Sequence, residues 1–235
     1  MPEMGSSTGD WTAREEEQFA RYHQLLTEWN ERLNLTAITA REDVYIKHFA
    51  DSLTVCGMSE WTGCALPGKA VVDIGTGAGF PGLPLAIRYP DVAFTLLDSL
   101  QKRLRFLEHV IGELALKNVR LVHGRAEDVA QDKAFRNRFD AVVARAVARL
   151  NVLVELSAPF AAVGGYVFAY KGPAVDEERD DGIRAAASVG AQWVRAERIE
   201  LPDGHGQRAI AVFRQVGVTP RAYPRKAGLP QKQPL

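Results

Sequence analysis

A glycine-rich loop in the first half of the chain is the feature most directly tied to ligand chemistry. The stretch VVDIGTGAGFPG places Gly75, Gly77 and Gly79 shortly after Asp73. Glycines between a strand and a helix let a ligand approach the backbone amides closely. The pattern GxGxxG also fits Gly77, Gly79 and Gly82, a weak signal for a dinucleotide. The loop therefore predicts a nucleotide-containing ligand, and neighbouring side chains must decide which one.

Asp73 favours a cationic ligand. A carboxylate beside the glycines would repel a pyrophosphate, whereas the sulfonium and ammonium groups of S-adenosylmethionine carry positive charge. Alternatively, Asp73 caps the turn by accepting backbone hydrogen bonds, and the two roles can coexist. The residue indicates a methyl donor, with the capping interpretation left open.

Two further acidic positions follow later apolar runs. Asp98 ends the run AFTLLD, nineteen positions after Gly79, where an acid can accept hydrogen bonds from ribose hydroxyls. Dinucleotide enzymes and methyltransferases share that feature. The stretch LVHGRAED places Ala126 and Glu127 where they would flank an adenine, although Glu127 and Asp128 also suit the positive end of a helix.

The chain lacks the residues that several methyl acceptors require. Arg145 ends the run FDAVVAR, where adenine-N6 and cytosine-N4 methyltransferases usually carry Asn or Asp, two prolines and an aromatic residue. Cytosine-C5 chemistry needs a cysteine near this strand or the next, but Cys56 and Cys64 precede the glycine loop. Guanine N7 has an exposed lone pair and needs only proximity and orientation. Oxygen and small-molecule acceptors stay open at this point.

Several basic side chains are candidates for RNA contact. The guanidinium of Arg145 can form bidentate hydrogen bonds with an RNA phosphate or with guanine acceptor atoms, and it could also contact the methyl donor. Alternatively, Arg145 forms a surface salt bridge. Lys171, in YKGP, follows a later apolar run. From Gly204 to the end the chain has no acidic residue and these basic ones: Arg208, Arg214, Arg221, Arg225, Lys226 and Lys232. The group Lys102, Arg103 and Arg105 is either a phosphate contact or a solvated helix face.

These residues need a scaffold that brings strand ends to one edge. Short apolar runs occur at 70–74, 93–97, 119–122, 141–144 and 166–170. Helical patterns between them include 83–88, 101–116 and 150–160. This alternation predicts a doubly wound α/β domain with a parallel sheet. The stretch ERIELPDGHGQRAIAVFRQ predicts an antiparallel hairpin at one sheet edge.

A small helical lobe precedes this domain. Thr12 and Glu15 fit a capping box, and apolar residues follow at helical spacing from Phe19 to Leu33. A second helix is predicted over 41–56, where His48 is by itself an ordinary packed or surface histidine. The boundaries that we predict are a disordered N-terminus at 1–10, the lobe at 11–66, a methyltransferase domain at 67–218 and a basic extended tail at 219–235.

Composition narrows the class further. The 235 residues are 46% hydrophobic, and 29 basic side chains balance 29 acidic ones, so only local charge points to a polyanion. The two cysteines have seven residues between them and no histidine cluster nearby, which favours neither a disulfide nor a metal site. With no signal-peptide pattern or membrane-length apolar run, a cytoplasmic protein is expected.

Taken together, the motifs resemble one family. VVDIGTGAGFPGLPLAI, LLDSLQKRLRFL, RAED, VVARAVA and YKG, with the upstream NLTAI and HFADSL, are similar to ribosomal RNA small subunit methyltransferase G. The resemblance extends from about Leu25 to the end, including the tail. It implies a Rossmann-like, S-adenosylmethionine-dependent methyltransferase fold with a seven-stranded, mostly parallel sheet. It also implies methylation of guanine N7 in a decoding-region loop of 16S ribosomal RNA, with S-adenosylhomocysteine as product.

The resemblance also implies site residues. Together with the glycine loop, it gives this donor site: Gly75, Gly77, Gly79, Phe80, Asp98, Ser99, Ala126, Glu127 and Arg145. His48, Asp51 and Ser52 become substrate-side residues. With the basic residues above, the predicted RNA contacts are His48, Lys171, Arg221, Arg225 and Lys226. No residue is assigned a chemical step, and Arg145 and Lys171 are substrate-side candidates.

The expected partner is 16S ribosomal RNA or the small ribosomal subunit, and the expected state is a monomer without a membrane or metal. The alternatives are a methyltransferase for another RNA, a protein or a small molecule, a nicotinamide-dependent oxidoreductase, and a non-catalytic RNA-binding protein. Asp73 and the edge hairpin count against the oxidoreductase.

Overall fold

A computed structural model describes residues 11–235 of the chain. The N-terminus predicted to be disordered, residues 1–10, lies outside the described residues. The described residues begin with helices and continue into a seven-stranded sheet.

The first helix, α1 (Ala13–Leu33), begins at the predicted capping box. The Thr12 hydroxyl accepts a hydrogen bond from the Glu15 amide, and the Glu15 carboxylate accepts one from the Thr12 amide. Its apolar stripe, which includes Phe19 and Tyr22, is buried against the sheet domain.

The predicted second helix has an interrupted geometry. It consists of α2 (Arg41–Val44), a π-helical turn (Tyr45–Ala50), α3 (Asp51–Leu53) and a 3-10 turn (Thr54–Gly57), before α4 (Ser59–Cys64). Apolar periodicity predicts a helix here, but it does not distinguish an α turn from the wider π turn. The π turn carries His48, and such turns are frequent at functional sites.

The sheet has the order β3-β2-β1-β4-β5-β7-β6. Its strands are β1 (Ala70–Ile74), β2 (Ala93–Asp98), β3 (Val119–His123), β4 (Phe139–Arg145), β5 (Ala161–Lys171), β6 (Ala191–Glu200) and β7 (Gln207–Gln215). The remaining helices are α5 (Gly82–Arg88), α6 (Gln101–Glu113), α7 (Ala126–Val129), α8 (Leu150–Ser157), α9 (Asp176–Ser188) and α10 (Leu229–Lys232). Further 3-10 turns lie at Ala158–Phe160, Pro173–Val175 and Pro202–Gly204.

This topology confirms the predicted fold class. The first five strands are parallel, while β7 is antiparallel to both β5 and β6. β1 lies between β2 and β4, so the strand order reverses there and opens a crevice at the carboxyl ends of the strands. The reversed seventh strand also separates this sheet from the 3-2-1-4-5-6 order of dinucleotide-binding domains.

The tail differs from the extended segment that was predicted. Residues 219–235 fold back onto the domain and include α10. Tyr223 and Leu235 pack against the hydrophobic core beside α8. The tail has no apolar period to reveal this, because single anchoring residues rather than a repeated stripe hold it in place.

Candidate active site

The conformation of the glycine loop is fixed by hydrogen bonds to Asp73, which precedes it. Asp73 is fully buried, and its Oδ2 accepts hydrogen bonds from the Thr76 hydroxyl at 2.6 Å and the Gly82 amide at 2.8 Å. Burial raises the pKa of Asp73 to about 6, against the opposing effect of these two hydrogen bonds. The capping interpretation therefore describes the role of Asp73, whose carboxylate has no exposed surface to offer a ligand.

The glycines of the loop differ in exposure and in the groups that surround them. Gly75 is exposed at the sheet edge and has a φ of +68°, which L side chains rarely adopt. Gly79 is buried with a φ of +98°, and a Cβ there would collide with Tyr22, Leu83 and Leu107. Gly75 can thus face a ligand, whereas Gly79 makes room for the helical lobe.

A cleft of about 160 Å³ lies beside this loop at the carboxyl edge of β1, β2 and β3. Five of the predicted donor residues line it: Gly75, Asp98, Ser99, Ala126 and Glu127. Sequence reasoning missed Val147 and Leu156, which also line the cleft. Their only available signal was their place after β4 and on the following helix, the edge where ligands of such sheets bind.

Asp98 organises one wall of the cleft. Its side chain is 2% exposed; Oδ2 accepts from the Gly77 amide at 2.9 Å, and Oδ1 accepts from the Leu100 amide at 2.8 Å. Arg103 donates to Oδ2 at 3.2 Å. Arg103, predicted as a phosphate contact or a solvated side chain, thus pairs with Asp98. A carboxylate has about four acceptor positions, so Asp98 retains capacity for a further donor.

Glu127 also lines the cleft. Its Oε1 accepts a hydrogen bond from the amide of Gly228, in the folded-back tail, at 2.8 Å. The C-terminal segment is therefore in direct contact with a predicted donor residue.

Arg145, at the end of β4, contacts residues of the helical lobe. Its Nη1 donates to Asp51 Oδ2 at 2.8 Å and to the Lys47 carbonyl oxygen at 3.3 Å. Its guanidinium carbon lies 5.1 Å from the centroid of the Phe80 ring, a cation–π geometry. The structure thus joins Arg145 to the predicted substrate-side residues, and its donor role stays a prediction.

His48 completes this cluster. Its ring stacks on Phe80 with centroids 4.4 Å apart, Nδ1 lies 3.3 Å from Arg145 Nη2, and Nε2 lies 2.9 Å from the Thr36 hydroxyl. A guanidinium only donates, so we assign Nδ1 as acceptor and the proton to Nε2. Burial, reinforced by the Arg145 charge, lowers the pKa of His48 to about 3, and the ring is neutral at pH 7.

Asp51 and Ser52 have separate roles. Burial raises the pKa of Asp51, while Arg145 and Arg208 oppose the shift; Arg208 Nε lies 3.6 Å from Oδ1. Ser52 is fully buried, its hydroxyl donates to the His48 carbonyl oxygen, and its own carbonyl oxygen accepts from Tyr170 at 2.7 Å. Asp51 belongs to the cluster, and Ser52 holds the lobe on the sheet.

Lys171 and Arg225 already have acidic partners. Lys171 Nζ contacts Glu178 at 2.8 Å and the Ala148 carbonyl oxygen at 3.0 Å. Arg225 forms a bidentate pair with the fully buried Glu155. Arg221 and Lys226 are exposed. Of the predicted RNA contacts in the tail, these two are presented to solvent.

Sheet order, glycine loop and cleft together define a Rossmann-like methyltransferase fold. Among solved structures, the chain is similar to the 16S rRNA (adenine(1408)-N(1))-methyltransferase of Catenulisporales acidiphilia, with a TM-score of 0.53 and 17% identity over 68% of this chain and 92% of that one. It is also similar to TYW2 of M. jannaschii in complex with AdoMet, with a TM-score of 0.50 and 17% identity over 68% of this chain and 80% of that one.

Sequence comparison assigns the chain to one family within this fold. The family model described as rRNA small subunit methyltransferase G matches residues 15–205. Relatives carrying that name are 47% identical in Brevibacillus brevis and 48% identical in Leuconostoc citreum, each over 95% of this chain and 92% of the relative. The chain belongs to the rRNA small subunit methyltransferase G family, and the resemblance seen in its motifs is confirmed.

Proposed function

We propose that this chain transfers the methyl group of S-adenosylmethionine to N7 of a guanine in the decoding-region loop of 16S ribosomal RNA. Family membership over nearly the whole chain carries the proposal. The donor cleft adds support, because five of the predicted donor residues converge there. Fold alone would not establish an activity.

The cleft residues fit such a donor. Gly75 leaves open a position where a Cβ would approach Val147 to 3.1 Å. Asp98 has acceptor capacity left for a ribose hydroxyl. Ala126 and Glu127 would hold the adenine region, and Ser99 and Gly77 would complete the wall. Phe80 and Gly79 pack against Tyr22 and so connect the loop to α1. When bound, the donor supplies an electrophilic methyl group and leaves as S-adenosylhomocysteine.

The cluster of His48, Asp51 and Arg145 would face the guanine, with His48 and Arg145 packed on the Phe80 ring. His48 is neutral, its two ring nitrogens are engaged by Thr36 and Arg145, and Asp51 is paired with Arg145. None of these groups is poised to remove a proton, and guanine N7 requires no such removal. The contribution of these residues is to orient the base for in-line attack and to exclude water.

Exposed basic residues support an RNA partner. Arg221 and Lys226 would contact RNA phosphates, and Lys171 would act indirectly by fixing the loop that follows Arg145. We further propose a monomer that acts on 16S ribosomal RNA or the small ribosomal subunit in the cytoplasm, where that substrate is found. Between residues 11 and 235, none of the helices is long and apolar enough to cross a membrane.

The decisive experiment supplies S-adenosylmethionine with unmodified 16S RNA, both naked and within small subunits. The RNA is then digested, and 7-methylguanosine is quantified by mass spectrometry. A single modified guanine in the decoding-region loop is expected. If both RNA forms stay unmodified while the protein still binds the donor, the acceptor is another RNA, a protein or a small molecule.

Calorimetry separates the remaining alternatives. We expect S-adenosylmethionine to bind and NAD not to bind. The opposite result would favour an oxidoreductase, and RNA binding without donor binding would identify a non-catalytic RNA-binding protein.

A further inference from the structure

Residue 225 was predicted as an RNA contact, but its surroundings point elsewhere. The Arg225 guanidinium donates from Nε to Glu155 Oε1 at 2.8 Å and from Nη2 to Oε2 at 2.5 Å, and its backbone amide donates to Oε1 at 2.9 Å. Glu155 lies on α8 with no exposed surface. Three hydrogen bonds to one buried carboxylate, two of them forming a fork, fix the position of this part of the tail.

The tail then reaches the donor cleft. Three residues beyond Arg225, the Gly228 amide donates to Glu127 Oε1 at 2.8 Å. Gly228 has a φ of +81°, so the direction of this amide depends on a backbone conformation that favours glycine. The tail therefore holds the side chain of a residue that lines the cleft.

Other contacts fasten the tail to the same wall. Gln131, just after α7, donates to the Pro224 carbonyl oxygen at 3.0 Å, and Asn151 donates to the Leu235 carbonyl oxygen at 3.1 Å. Tyr223 and Leu235 pack against the hydrophobic cluster that Ala126 also packs against. Contacts on α7 and α8 thus tie the C-terminal segment to two elements that line the cleft.

We propose that the C-terminal segment 223–235 is a structural part of the donor site, in which Arg225 is a positioning residue that acts through Gly228 and Glu127. The proposal rests on the proposed function for the identity of the donor. It removes Arg225 from the RNA-binding set and leaves Arg221 and Lys226 in it.

The test measures binding of S-adenosylhomocysteine, which occupies the donor site without turnover, by calorimetry. Arg225→Ala should weaken binding by roughly 5- to 150-fold, the range of typical couplings between sites. Arg225→Lys keeps a charge but loses the fork, so it should restore part of the affinity. Lys232→Ala, an exposed basic residue of the same segment, should leave donor affinity unchanged.

A second variant covers the case in which Arg225→Ala does not fold because Glu155 is left buried and unpaired. A chain ending at Lys226 keeps the Arg225–Glu155 pair but lacks Gly228, and it should lose donor affinity to a similar extent. In both variants the KM for the donor should rise while kcat at saturating donor is retained.

Reciprocal coupling gives a readout that a merely stabilising contact would not produce. Because linkage is mutual, S-adenosylhomocysteine should slow amide hydrogen exchange across 223–235 by a larger factor than across β6, at the far edge of the sheet, where only the general stabilisation by a bound ligand acts. Exchange slowed no more across 223–235 than across β6, together with folded variants that bind as tightly as Lys232→Ala, would overturn the proposal. If the unmodified chain itself failed to bind S-adenosylhomocysteine, the donor assignment would fall as well, a result distinct from failure of the variants alone.

Discussion

At the scale of single residues, the Arg145–Asp51 pair connects the helical lobe to the end of β4. Both side chains are largely buried, with 14% and 4% exposure, and removing Arg145 leaves the buried Asp51 with only the longer contact to Arg208 at 3.6 Å. Arg145→Ala should therefore lower the free energy of unfolding by about 3 kcal/mol, measured by urea denaturation.

The matched control for this pair is Arg149→Ala. Arg149 is 61% exposed and lies 3.6 Å from Asp181, so its loss should change stability by less than about 0.5 kcal/mol. Equal effects of the two substitutions would show that the Arg145–Asp51 pair does not hold the lobe in place.

The lowered pKa of His48 predicts how the stability of the chain depends on pH. Its pKa is about 3 in the folded chain, below the ordinary value of 6.5, so below pH 6.5 the unfolded chain binds a proton that the folded chain does not. The contribution of neutral His48 to stability is complete above pH 6.5 and falls as the pH drops toward 3. The slope approaches about 1.4 kcal/mol per pH unit within that window.

The measurement is the difference in unfolding free energy between the unmodified chain and His48→Phe from pH 7 to 4.5. Phenylalanine preserves the stack on Phe80 but does not titrate. A difference is required because Asp73 and Asp51, whose pKa values are raised, contribute a slope of the opposite sign at low pH. Parallel pH curves for the two proteins would contradict the assignment of a neutral His48.

At the scale of elements, the contact between α1 and the glycine loop depends on Gly79. Its φ of +98° and its proximity to Tyr22 make Gly79→Ala strained and sterically blocked. We expect it to lower the free energy of unfolding by about 2 kcal/mol or more. Thermal and urea unfolding measure this effect.

Gly112→Ala is the matched control. Gly112 lies in α6, and an added Cβ would meet nothing within 4 Å. Alanine there should stabilise the chain by about 0.5–1 kcal/mol. If Gly79→Ala behaved like Gly112→Ala, the loop would not be packed beneath Tyr22 as described.

The elements also show what sequence can predict. Apolar runs and helical periods placed β1 to β5, α1 and the β6–β7 hairpin, because burial on one or both faces leaves a pattern in the chain. The π turn around His48 was not predictable, because it depends on packing against Phe80 and Arg145.

The candidate site was predicted in part for the same reason. Asp98 ends β2, Glu127 follows β3, and parallel strand ends meet at one edge, so their convergence was foreseeable. The partners of Arg145 and Arg225 were not, since Asp51 lies 94 positions and Glu155 lies 70 positions away in sequence. A basic residue in a sequence does not reveal whether its charge is already paired.

At the scale of the whole molecule, net charge is zero and RNA affinity must come from local basic residues. Replacing both Arg221 and Lys226 by Ala should weaken RNA binding and reduce the slope of log affinity against log salt by about two. Filter binding at several salt concentrations measures the slope, and calorimetry should show unchanged donor affinity.

Arg184→Ala is the control for this test. It removes an exposed arginine of α9, to which no RNA contact is assigned, and should leave the salt slope unchanged. Equal slopes for the double variant and the unmodified chain would place the RNA-binding surface elsewhere.

The way α1 is built into the domain also limits how this chain can change in evolution. Phe19 and Tyr22 share one hydrophobic cluster with Phe80 and Phe106, and the buried Glu15 pairs with Arg88 of α5 at 3.1 Å. A substrate-recognition module joined by a linker can be exchanged between enzymes by recombination. This lobe cannot be exchanged in that way without opening the core beneath the glycine loop. New substrate preferences in this chain would have to arise through individual surface substitutions, with the lobe inherited as part of the catalytic body.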